Sequence, residues 1–155
     1  MSDHGRLSKY EHQISGTNAR MDNIQAAVLN VKMKYVAEWN EKRRKIAAKY
    51  RNALGNYLNF VEEETFVRSV YHLLVARTLF RKDLIKFLGE HGISTGIHYP
   101  IPLHLQPAYK HLGYKYGDLP RCEKIAEEII SLPVFPEMTD EQIDFVVQTI
   151  KEYIK

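Results

Sequence analysis

Two stretches of the chain carry side chains whose types and spacing could do chemistry. In Gly16-Thr17-Asn18-Ala19-Arg20-Met21-Asp22 an amide and a guanidinium stand at the start of a helical pattern. Free N–H groups and the positive end of a helix dipole favour an anion there, and a planar guanidinium suits a carboxylate or a phosphate. The alternative is that Asn18 caps a turn and Arg20 is a surface or interface ion. The second stretch is Thr95-Gly96-Ile97-His98-Tyr99-Pro100-Ile101-Pro102-Leu103-His104. Its histidines can donate, accept or titrate near neutral pH, and Tyr99 adds a phenol. Its prolines stiffen the loop, so that less entropy is lost on binding. The alternative is a stiff connector whose histidines bond to backbone. A metal site from His98, His104 and His111 has no carboxylate partner at helical spacing, so no metal is expected.

Gln106-Pro107-Ala108-Tyr109, with His111, Tyr114 and Tyr116, forms an aromatic cluster that could shape a pocket, stack on a base or seal a loop. The basic run Lys42-Arg43-Arg44-Lys45 reads as a solvated helix face, with nucleic-acid binding as the sharper reading. The chain has no P-loop, no GxGxxG and no GxSxG, and Cys122 has no evident histidine partner.

The elements that must position these groups can be read from periodicity. Asp22 with Gln25 resembles a capping box, and Met21, Ile24, Val28, Val31 and Tyr35 recur at steps of three and four. The stripe resumes at Ile46, Tyr50 and Leu54 before Gly55, which predicts one long helix of about thirty residues, roughly 45 Å at 1.5 Å per residue. Such a strut suits a place between domains or subunits. Val70–Arg77 predicts a strand buried on both faces. Leu84, Phe87, Leu88 and His91 predict a short helix closed by Gly92, and Ile93–Tyr99 a second strand. Asp118 and Pro120 open a helix carrying Ile125, Ala126, Ile129 and Ile130. Leu132–Pro136 is a short extended piece. Thr139 and Gln142 box the start of a last helix striped by Ile143, Val146, Val147, Ile150 and Ile154. The order predicts a small α/β or α+β layer.

Composition bounds the function. The chain has 155 residues, 45% hydrophobic and 26% charged, which reads as one globular domain, or one domain with an arm. A net charge of +3 is too small an excess to argue for nucleic acid. A single cysteine excludes an internal disulfide and a cysteine-rich zinc site. There is no apolar run of membrane-spanning length and no signal-peptide pattern at the start, so a cytoplasmic location is expected.

Taken together, GTNARMDNIQAAVLNVKMKYVAEWNEKRRKIAAKY, VYHLLVAR, GISTGIHYPIPLHLQPAY and GDLPRCEKIAEEIISLPVFPEMTDEQI closely resemble the C-terminal portion of the DegT/DnrJ/EryC1/StrS aminotransferases. These are pyridoxal-phosphate-dependent enzymes that aminate keto groups of nucleotide-linked sugars. The resemblance implies the aspartate aminotransferase-like fold, fold type I, and a homodimer with its active site at the interface. It implies that Asn18 reaches the cofactor phosphate of the neighbouring subunit and that Arg20 meets a substrate carboxylate, that of the donor glutamate. It implies that His98 and Tyr99 belong to the loop facing the nucleotide-sugar, which His104 and Gln106 extend. On this basis residues 1–20 are an arm left from a large domain, 21–55 a connecting helix, and 56–155 the small C-terminal α/β domain.

The family's Schiff-base lysine and the acidic partner of its pyridine nitrogen lie upstream of the part resembled here. Lys9, Lys32 and Lys34 do not fall at the lysine's position, so this chain is expected to hold no catalytic lysine and to be an inactive fragment that binds no cofactor alone. Self-association through Met21, Ile24, Val28, Val31 and Tyr35 is expected. The alternative function is a regulatory or interaction module, with nucleic acid as its sharper form.

Overall fold

A computed structural model describes residues 21–154. The expected arm over 1–20, with Asn18 and Arg20, lies outside the described residues. The chain divides into two compact units, Met1–Glu38 and Trp39–Lys155.

The first unit holds α1 (Asn23–Met33), which buries none of its residues. The expected box forms: Gln25 Oε1 accepts from the Asp22 N–H at 3.3 Å, and the Asp22 side chain accepts from the Gln25 N–H. The expected continuous helix is interrupted: Lys34 and Tyr35 form a turn, with their N–H groups on Val31 and Lys32 carbonyls, before α2 (Val36–Leu54) begins. No glycine or proline marks this break in the sequence, and nothing in the structure explains it.

In the second unit, α2 buries Ile46, Ala47, Tyr50 and Leu54, the spacing the stripe predicts. β1 (Asn59–Phe60), β2 (Leu74–Arg77) and β3 (Ile129–Leu132) form an antiparallel sheet in the order β1-β2-β3. The register pairs Phe60 with Ala76, and Ala76 with Ile130. α3 (Arg81–Glu90), α4 (Pro120–Glu128) and α5 (Asp140–Ile154) complete the unit. The core gathers side chains of α2, α3 and α5 with Leu74, Ala76, Ile130 and Leu132 of the sheet.

Three expected strands change. The run Val70–Arg77 is extended in ladder form only from Leu74, because Tyr71 takes φ +47° and leaves the β region. β2 then alternates buried and half-buried residues, so one face is covered rather than two. Ile93–Tyr99 makes a single antiparallel bridge, Gly96 with Ser131, through N···O contacts of 3.1 and 2.8 Å. Prolines 100 and 102 follow and cannot donate to a ladder. The extended piece expected at 132–136 meets the sheet only at Leu132: β3 runs Ile129–Leu132, so Ile129 and Ile130 leave the helix stripe for the sheet. α5 begins as expected: Gln142 Oε1 accepts from the Thr139 N–H at 3.0 Å, and Thr139 Oγ1 from the Gln142 N–H at 3.3 Å.

Candidate functional site

The loop between Gly96 and α4 gathers four of the six site residues expected from the sequence. Its first anchor is β3. Ser131 is buried, and its hydroxyl meets His98 Nδ1 at 2.9 Å. The imidazole lies across Gly96, where an added Cβ would come within 2.6 Å of His98 Cε1. A side chain at 96 would therefore have to displace the His98 ring, which is seated against the sheet edge. Tyr99 follows with 72% of its surface exposed and its ring edge-on to His98.

Two 3₁₀ turns, Leu103–Leu105 and Pro107–Leu112, carry the chain onward. Gln106 sits between them, half-buried and extended; its backbone N–H is on Leu103 O and its own carbonyl accepts from Tyr109 N. Ile101, Leu103, Tyr109, Leu112, Tyr114 and Tyr116 all leave apolar surface exposed along this loop.

The second anchor is a buried hydrogen bond between an imidazole and a carboxylate. His104 is 8% exposed, and its Nε2 lies 2.9 Å from Oε1 of Glu123 on α4, itself 4% exposed. An ionised carboxylate only accepts, so Nε2 carries the proton and donates. The Gly117 N–H donates to both carboxylate oxygens at 2.9 Å, and the Leu119 N–H to Oε1 at 3.2 Å. Burial works to raise the Glu123 pKa. The hydrogen bonds from His104, Gly117 and Leu119 outweigh it and hold the carboxyl below the usual carboxylate range.

His98 and Tyr99 therefore stand together at the sheet edge, one seated and one presented. His104 is instead turned inward and spent on Glu123. Asn18 and Arg20 lie outside the described residues. Glu123 was not singled out from the sequence, although its i, i+3 relation to Ala126 sets a carboxylate on the buried face of α4. A charge on an apolar stripe is the signal that could have found it.

The other candidates are accounted for by local bonds. His111 Nδ1 meets Ala108 O at 3.1 Å. Among the described residues no group of three or more His, Cys, Asp or Glu is arranged to hold a metal. In the basic run, Arg44 donates from Nε to Ser69 O at 2.7 Å and from Nη1 to Glu41, and Arg43 reaches Asn40. Cys122 is exposed. Among the described residues no helix is long and apolar enough to cross a membrane. Every described lysine is exposed except Lys151, which is half-buried. A lysine that acts through a Schiff base is activated by desolvation in an apolar pocket or by a neighbouring cation. Among the described residues no lysine is buried in such a pocket.

Comparison with known proteins agrees with the resemblance. The model of the DegT/DnrJ/EryC1/StrS aminotransferase family matches residues 1–151. A pleiotropic regulatory protein of Geobacillus stearothermophilus is 44% identical over 98% of this chain and 42% of its own length. The dTDP-3-amino-3,4,6-trideoxy-alpha-D-glucose transaminase of Streptomyces venezuelae is 36% identical over 99% of this chain and 41% of its own. The crystal structure of S. venezuelae DesV superposes with a TM-score of 0.92 at 35% identity, over 99% of this chain and 42% of that one. The chain thus spans about two-fifths of the length of the relatives it matches.

Proposed function

The chain belongs to the DegT/DnrJ/EryC1/StrS aminotransferase family, and from that premise we propose that it supplies the C-terminal part of an enzyme moving an amino group from glutamate to a nucleotide-linked keto-sugar. The family match over residues 1–151 carries this reading. The loop geometry supports it: a seated His98 next to an exposed Tyr99 is a rigid base with an aromatic, hydrogen-bonding tip. In this reading Tyr99 and Gln106 face the sugar, and His98 and His104 hold their loop from beneath. Asn18 reaches the phosphate of pyridoxal phosphate in the neighbouring subunit of a homodimer, and Arg20 takes the donor carboxylate. A cytoplasmic site of action goes with such a substrate.

The same reading makes the chain inactive by itself, since the family's Schiff-base lysine lies upstream of the part this chain matches. The alternative of a nucleic-acid-binding regulatory module gains no support from the basic run, where Arg43 and Arg44 are tied to neighbours. The test is reductive trapping. The purified chain is incubated with pyridoxal phosphate and glutamate, reduced with borohydride, and mapped by mass spectrometry. Only scattered substoichiometric adducts on surface lysines are expected. One lysine labelled stoichiometrically, together with conversion of glutamate, overturns the assignment of an inactive part.

A further inference from the structure

Buried carboxylates are costly, and the chain keeps one where the mechanism proposed above has no chemical use for it. Glu123 accepts from three separate places in the preceding chain: the His104 side chain and the backbones of Gly117 and Leu119. Gly117 takes φ +96°, a conformation that favours glycine, and in it the N–H points at both oxygens. The segment from Pro100 to Asp118 otherwise has little to hold it. Beyond its two 3₁₀ turns it makes no strand pairing, and residues 107–119 are exposed throughout. A small cavity of about 180 Å³ lies under it, between Pro100, Pro102, Leu105 and the α4 residues Glu123, Ala126 and Glu127.

We infer that Glu123 is a positioning residue whose one carboxylate fixes the course of the Pro100–Asp118 loop and so the presentation of Gln106 and its neighbours. The functional weight of this rests on the loop being the sugar-facing one; the positioning itself does not. His104 closes the near half of the loop onto the carboxylate, and Gly117 and Leu119 close the far half. The other titratable groups around the pair are Tyr114, edge-on to His104 at 6.1 Å, and Tyr116, whose hydroxyl donates to Glu127 at 3.3 Å. None of them replaces the carboxylate as an acceptor for the two backbone N–H groups.

The test is made on the full chain without ligand. In Glu123→Ala, amide exchange at Gly117 and Leu119 rises about 10- to 100-fold, the size that charge-assisted hydrogen bonds support. Trypsin cleavage after Lys110 and Lys115 rises with it, while exchange at Ile130 and Ile150 stays as in the wild type. Glu123→Gln keeps an acceptor oxygen and recovers part of the protection. In the wild type, the Gly117 and Leu119 amide proton shifts move together as pH falls, at one midpoint below the usual carboxylate range. That step is absent in Glu123→Gln.

Unchanged loop exchange in Glu123→Ala, or loop and core amides accelerating together, overturns the inference. If Glu123→Ala does not fold, the wild-type titration decides: amide shifts that do not follow one carboxylate step overturn it. Because no sugar or cofactor enters these measurements, failure of the sugar-facing reading leaves them unmoved, and their failure leaves that reading standing.

Discussion

Helices α1 and α5 carry similar strings and reach opposite ends. Ile24, Val28 and Val31 recur on α1 at steps of three and four, as Ile143, Val146, Val147 and Ile150 do on α5. On α5 all four are buried, with Ile150 at 0% exposure; on α1 all three are exposed, Ile24 at 80%. Periodicity states which face of a helix is apolar. It does not state what covers that face. The α5 stripe is covered by the core of its own unit, while the α1 stripe presents apolar surface of the kind that marks an interaction site.

The comparison can be broken most directly by truncation. Ile150→Ala is expected to cost about 2–5 kcal/mol in urea unfolding, because it opens a cavity in a closed core. Ile24→Ala is expected to stay within about 0.5 kcal/mol. Equal costs at the two positions would mean that the α1 stripe is covered in solution within one chain. The next effect is on assembly. Sedimentation should give a mass above that of the monomer which rises with concentration, and Ile24→Glu with Val28→Glu should return it to the monomer. A wild-type chain that is monomeric at every concentration removes self-association through α1.

The smallest effect sharpens what a covered face tolerates. Tyr50 on α2 is fully buried, and its hydroxyl finds no partner among the described residues, so burial pushes its pKa well up. Tyr50→Phe removes a desolvated polar group without opening space. It is expected to be neutral or to raise stability by up to about 1 kcal/mol. A loss of more than that, measured by the same unfolding, would reveal a hydrogen bond to the hydroxyl.

Legibility in the sequence followed the range of the cause. The α5 capping box was readable because its two bonds join residues three apart, and both form as spaced. The α2 stripe was readable for the same reason. The strand over 93–99 was not, because a ladder needs a partner, and only Gly96 finds one in Ser131 before the prolines arrive. The shortened β2 depends on Tyr71 entering a conformation that a tyrosine rarely adopts. In the site, the residue types at 98 and 99 suggested a rigid binding loop, and the structure seats one and presents the other. The inward turn of His104 was hidden because its partner is 19 residues on. Chemistry at that separation is invisible to spacing rules, whereas a glutamate on a buried helix face is not.

One feature of α4 gives the loop an observer of its own. Cys122 is the chain's single cysteine; it is exposed, and it precedes the buried Glu123 by one residue, so consecutive side chains point to solvent and to the clamp. A nitroxide or fluorophore placed on that thiol needs no engineered site and has no rival thiol in the chain. Its mobility would be read a few ångströms from the carboxylate, so that the same molecule that carries the clamp also carries the gauge of whether it is fastened.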